Sequence, residues 1–148
     1  MKLRFLAALA VTALSMSAIS SALADDSKAY TEGTVLEVTS IRTKPGMFDA
    51  YMKWLDTIGK QLRDDEKKAG LILDYAVYAA QPRSPHDPDI YLVITYKNMA
   101  ALDGLSDRVE PLQRKIWATR EAGSKAAADR ESMREILGTE QMRRLDLK

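Results

Sequence analysis

The chain has 148 residues, 46% hydrophobic and 29% charged, with a net charge of +1, one histidine and no cysteine. That composition describes one globular domain, and the near-neutral charge gives no electrostatic reason to expect a nucleic-acid partner. Without cysteine there are no disulfides, thiolate nucleophiles, iron–sulfur clusters or cysteine-bound zinc, and one histidine cannot build a poly-histidine metal site.

The first segment reads as an export signal. Lys2 and Arg4 precede an apolar run from Phe5 to Leu14, a small and mildly polar stretch follows, and Ala22-Leu23-Ala24 stands before Asp25-Asp26. This is the tripartite pattern of a secretory signal peptide, residues 1–24, cleaved near Ala24. Its apolar core is about half the ~20 residues that span a bilayer, so no membrane anchor is expected after cleavage. Loss of Lys2 and Arg4 would turn the net charge slightly negative. The expected products are a periplasmic or secreted chain, a disordered lead-in over residues 25–33, and one domain over 34–148.

In the domain, Thr34 to Ile41 is rich in β-branched residues and predicts a first strand. Lys44-Pro45-Gly46 ends it. Phe48, Tyr51, Leu55, Ile58 and Leu62 then form one apolar stripe at helical spacing, with Trp54 on its flank and Gly70 as the stop. Leu71 to Ala80 alternates as a second strand. Gln81 to Asp89 contains three of the five prolines and is a loop. Ile90 to Lys97 is the clearest strand, and it should pair antiparallel with the second.

Asn98 suits the N-cap of a short helix, Met99 to Asp103. A longer helical region is predicted from Ser106 to Leu137, started or kinked at Pro111 and divided at Gly123. Gly138 would stop it before a last strand, Gln141 to Lys148, for which a continuing helix is the competing reading. The order is β-α-β-β-α-β: an α+β, ferredoxin-like antiparallel sheet with helices on one face and an extended second helical region.

Such a sheet leaves its other face open. Alternation assigns Leu36 and Val38, Leu71, Leu73 and Val77, and Ile90, Leu92 and Ile94 to the helices. The open face would then receive Val35, Glu37, Thr39 and Ile41, then Ile72, Asp74, Ala76 and Tyr78, then Tyr91, Val93 and Thr95. That mixed surface predicts a homodimer through the sheets. Either the faces simply pack, or they enclose a ligand cavity with Glu37, Asp74, Tyr78, Tyr91 and Thr95 as polar contacts.

The element order, the Lys44-Pro45-Gly46 helix start, the Tyr51/Trp54/Leu55 stripe and the Val93-Ile94-Thr95-Tyr96-Lys97-Asn98 end of the third strand resemble the dimeric α+β barrel superfamily. The resemblance covers Thr34 to Leu105 and, less closely, the end near Leu147. It implies two ferredoxin-like sheets paired around a barrel, in a group that includes cofactor-independent monooxygenases, haem-degrading enzymes, haem-binding peroxidases and uncharacterised exported proteins. The haem-degrading pattern needs an Asn on the first strand and a His on a helix, and this chain has neither. No cofactor and no metal is therefore expected.

His86 is the one side chain that titrates near neutrality unperturbed. It lies in the proline-rich loop beside Asp87, which could orient the ring if the loop covered a site. Glu37 and Asp74 are candidate acid/base carboxylates, although strand three separates them in a ferredoxin-like order. The candidates are thus His86, Asp74 and Tyr91 for catalysis, and Glu37, Asp74, Tyr78, Tyr91 and Thr95 for ligand binding. The expected function is an exported homodimer binding a small apolar or aromatic ligand. Its alternatives are a monooxygenase-like enzyme using Tyr78, Tyr91, Asp74 or His86, and an interaction module using Ser106 to Leu137.

Overall fold

The structure, a computed structural model, describes residues 28–148; the expected signal peptide and cleavage site lie outside the described residues. Four strands form one antiparallel sheet: β1 (Tyr30–Thr43), β2 (Asp74–Ala79), β3 (Ile90–Tyr96) and β4 (Arg134–Leu147), in the order β2-β3-β1-β4. Between β1 and β2 run α1 (Phe48–Trp54), a π-helical turn (Leu55–Gly59) and α2 (Lys60–Lys68). Between β3 and β4 run a 3₁₀ turn (Met99–Leu102), α3 (Leu105–Trp117) and α4 (Arg120–Glu131). This is the ferredoxin-like α+β fold that the sequence order predicts.

Local signals explain most of the boundaries. Gly70 adopts φ +70°, and the Leu71 amide donates to the Glu66 carbonyl at 3.0 Å, so α2 closes as glycine stops usually do. Asn98 caps the 3₁₀ turn through its side-chain oxygen, which accepts from the Ala101 amide at 3.1 Å.

Several boundaries differ from the sequence reading, among them the start of the second strand, which is Asp74 rather than Leu71. β1 starts at Tyr30, so Tyr30 to Gly33 belong to the strand and not to a lead-in; Tyr30 to Glu32 pair with the end of β4, Tyr30 opposite Leu147. The long helical region runs through Pro111 and breaks at Ala118 and Thr119, where Thr119 caps α4, rather than at Gly123. Helix ends at Glu131, and Arg134 to Leu137 are strand. Gly138 is therefore no helix stop: it lies within β4, opposite Ser40, beside a register shift that leaves Leu137 as an extra residue.

The core lies on the helical side of the sheet in two separate clusters. One joins Val35, Ile72, Ile94 and Tyr96, packed by Leu102 and Leu105. The other joins Ile41, Tyr51 and Ile90, packed by Trp54, Leu55 and Met133. Val35 and Ile41 anchor β1, one in each cluster. Between them Glu37 and Thr39 face the same side, since cross-strand partners share a face and Glu37 is opposite Ile94, Thr39 opposite Leu92.

This reverses the predicted faces of β1. Val35, Glu37, Thr39 and Ile41 point toward the helices, and Leu36 and Val38 toward the open face. Ile72 is buried, while Leu73, expected beneath the helices, is 47% exposed; both precede β2, so strand alternation does not govern them. The open face comprises Leu36 and Val38, Asp74, Ala76 and Tyr78, Tyr91, Val93 and Thr95, with Glu140 and Met142 from β4. Tyr78 is 57% and Met142 43% exposed.

Candidate functional site

The gap between the two core clusters is a partly open cavity of about 220 Å³ between sheet and helices. Glu37, Thr39, Leu92 and Ile94 form its sheet wall, and Trp54, Leu55 and Gly59 its helical wall. The π-helical turn shapes that second wall. Its extra residue turns Gly59 inward, and the Trp54 ring lies over it; a Cβ at position 59 would stand 3.2 Å from the indole. Insertions of this kind recur where a helix serves a site.

Four cations border the cavity: Lys60, Arg63, Arg130 and Arg134. Three have carboxylate partners. Lys60 pairs with Asp64, which also accepts from the Tyr75 hydroxyl at 2.8 Å; Arg63 pairs with buried Glu66; Arg134 bonds Glu131 at 3.0 Å. Arg134 is 6% exposed and also donates to the Tyr51 hydroxyl at 2.8 Å.

Arg130 differs. Its guanidinium lies 4.7 Å from the Trp54 ring centroid, and among the described residues it has no carboxylate partner. Burial, then the like charge of Arg134, lower its pKa. The Nε atoms of both Arg130 and Arg134 are buried without a hydrogen-bond partner. Arg63 and Arg130 also line a wider cleft among α2, α3 and α4, which adjoins the cavity.

At the other side of Glu37 lies a second polar group. Burial raises the pKa of Glu66 against the opposing pull of Arg63, and it pushes the Tyr96 phenol up to about 12. The charge of Glu37 adds to both shifts.

The structure distributes the predicted site residues over three places. Glu37 alone lines the cavity. Asp74, Tyr78, Tyr91 and Thr95 lie together on the open face, where Tyr78 is opposite Tyr91 and Asp74 opposite Thr95. Asp74 is exposed and bonded by Lys67 at 2.8 Å, which lowers its pKa. The five ligand-contact candidates therefore do not converge. β1 presents Glu37 to the opposite side of the sheet.

His86 is exposed in the loop, on a shallow surface hollow with Arg42 and Glu135, away from the cavity. Asp87 does not orient its ring; the carboxylate accepts from the Arg83 and Ser84 amides at 3.0 and 2.9 Å. The residues that sequence reasoning missed are Arg130 and Arg134. Neither carries a local signal of burial, and only the packing of α4 and the start of β4 against Trp54 and Tyr51 brings them inside.

Among the described residues there is no cluster of His, Asp and Glu suited to a metal ion, and no helix is long and apolar enough to cross a membrane. No protein-family model and no curated protein matches the chain. Solved structures similar to it include HapK from Hahella chejuensis, at 15% identity and a TM-score of 0.49 over 73% of this chain and 90% of that one. A dimeric ferredoxin-like protein from an uncultured marine organism aligns at 9% identity and a TM-score of 0.49, over 80% and 90% of the two chains. A second protein so described, also from an uncultured marine organism, aligns at 11% identity and 0.43, over 80% and 98%. The ferredoxin-like assignment itself stands on this chain's own strand order, pairing and one-sided helical layer.

Proposed function

We propose that this protein is exported, forms a homodimer through the open sheet face, and binds a small apolar or aromatic molecule in the cavity between sheet and helices. The cavity carries the ligand reading. A void walled by Trp54, Leu55, Leu92 and Ile94, with charged groups at its margin, has the make-up of a small-molecule site. At about 220 Å³ it suits a ligand near the size of one substituted aromatic ring. The helical layer supplies the site within one chain, so binding does not require the barrel interior of a dimer.

Dimerisation is supported by the open face, where Leu36, Val38, Val93 and Met142 share a surface that no helix of the described chain covers. Export is supported by the charged, apolar and small-residue pattern of residues 1–24.

The test is a small-molecule screen read by Trp54 fluorescence in a Trp117→Phe background. Saturable quenching accompanied by a rise in melting temperature supports the reading. Absence of both across apolar and aromatic compounds counts against it.

A further inference from the structure

One cation at the cavity, Arg130, has no ion-pair partner among the described residues. Lys60, Arg63 and Arg134 each contact a carboxylate, but half-buried Arg130 stacks on the Trp54 indole beside the like charge of Arg134, and Glu131 acts on it only from beyond ion-pair distance. A guanidinium taken from water without a counter-charge is costly, and two together are costlier. Both also carry a buried, unpaired Nε, and Arg134 is more than nine-tenths buried. Glu37 also lines the cavity but forms no ion pair with either guanidinium.

We infer that the cavity takes a small organic acid, its carboxylate against Arg130 and Arg134 and its apolar or aromatic body between Trp54, Leu55 and Leu92. The inference rests on the reading of the cavity as the ligand site. A carboxylate supplies two coplanar acceptor oxygens, the geometry that guanidinium donors match best. Trp54, Leu55, Leu92 and Ile94 give the cavity an apolar surface beside the polar Glu37, Thr39 and Tyr75, and an inorganic anion would leave that apolar surface uncovered. The cleft among α2, α3 and α4 gives the acid a cationic approach lined by Arg63 and Arg130.

The purified protein should be titrated calorimetrically with pairs of equal shape: benzoate and benzamide, phenylacetate and phenylacetamide, cinnamate and cinnamamide, with inorganic phosphate as a further probe. At least one acid should bind tenfold or more tightly than its amide. Arg130→Gln should cut that acid-over-amide preference to less than about threefold, and Arg130→Lys should keep part of it. Equal binding of acid and amide in every pair overturns the inference and leaves the cavity reading standing. Binding of neither member of any pair overturns both. Phosphate binding as tightly as the best acid overturns the organic acid in favour of a free-anion site. The wild-type comparison decides the matter even if a variant at position 130 fails to fold.

Discussion

Arg134, the first residue of β4, donates to the hydroxyl of Tyr51 in α1 at 2.8 Å, across 83 residues of sequence. Both side chains are buried, and the guanidinium also lies 5.5 Å from the Tyr51 ring centroid. The bond fastens one end of the cavity. Tyr51→Phe keeps the ring and removes the acceptor, so it should destabilise the protein by about 1–3 kcal/mol, the usual cost of a buried polar group left unpaired. Urea unfolding of wild type and variant measures this; an unchanged midpoint would mean that the bond contributes nothing net.

Gly59 is the smallest element of the cavity wall, and its neighbours are the Trp54 ring and Leu55. Gly59→Leu should displace the indole and fill the cavity. Trp54 emission should shift, and small-molecule binding should fall by tenfold or more, while the far-ultraviolet circular dichroism remains that of a folded protein. Retained affinity would place the ligand elsewhere.

Tyr96 is 2% exposed, and its phenol is raised from 10.0 to about 12 chiefly by burial. The unfolded chain therefore loses this proton first as pH rises. Stability should fall above pH 10 with a slope approaching about 1.4 kcal/mol per pH unit from this group, and level off above about 12. Tyr96→Phe should remove that share of the alkaline loss. Thermal unfolding from pH 8 to 11.5 checks it, and equal slopes in the two proteins would refute it.

On the open face, Val93 is central, opposite Val38 on one neighbour and Ala76 on the other. Val93→Glu should convert a dimer to a monomer by light scattering at micromolar concentration, because a carboxylate would be buried unpaired at the interface.

In the proline-rich loop the structure separates two adjacent residues. His86→Ala should change stability by less than about 0.5 kcal/mol and leave binding unaltered, as expected of an exposed side chain. Asp87→Ala removes the acceptor of two amides and should cost about 1 kcal/mol. A large effect of His86→Ala on binding would restore the loop to the site.

Helical spacing located Tyr51, Leu55 and Leu62, alternation located Ile90, Leu92, Ile94 and Tyr96, and element order specified the ferredoxin-like sheet, because each of these signals is local. The inverted reading of β1 has a physical cause. Glu37 and Thr39 look outward-facing by polarity, yet they point inward because a cavity rather than packed side chains lies over the middle of that strand. Asp74, Tyr78, Tyr91 and Thr95 were correctly kept together on one face, since alternation within β2 and β3 was read in phase with the sheet.

Net charge, the absence of cysteine and the single histidine were decided by the sequence alone, and with them the reliance of the fold on helix–sheet packing. Which charges are buried was decided only by tertiary structure. Arg130 and Arg134 look like ordinary solvated helix cations until α4 and β4 bring them against Trp54 and Tyr51, some 80 residues earlier in the chain. Burial is a property of what packs over a side chain, and no local pattern in the chain encodes that contact.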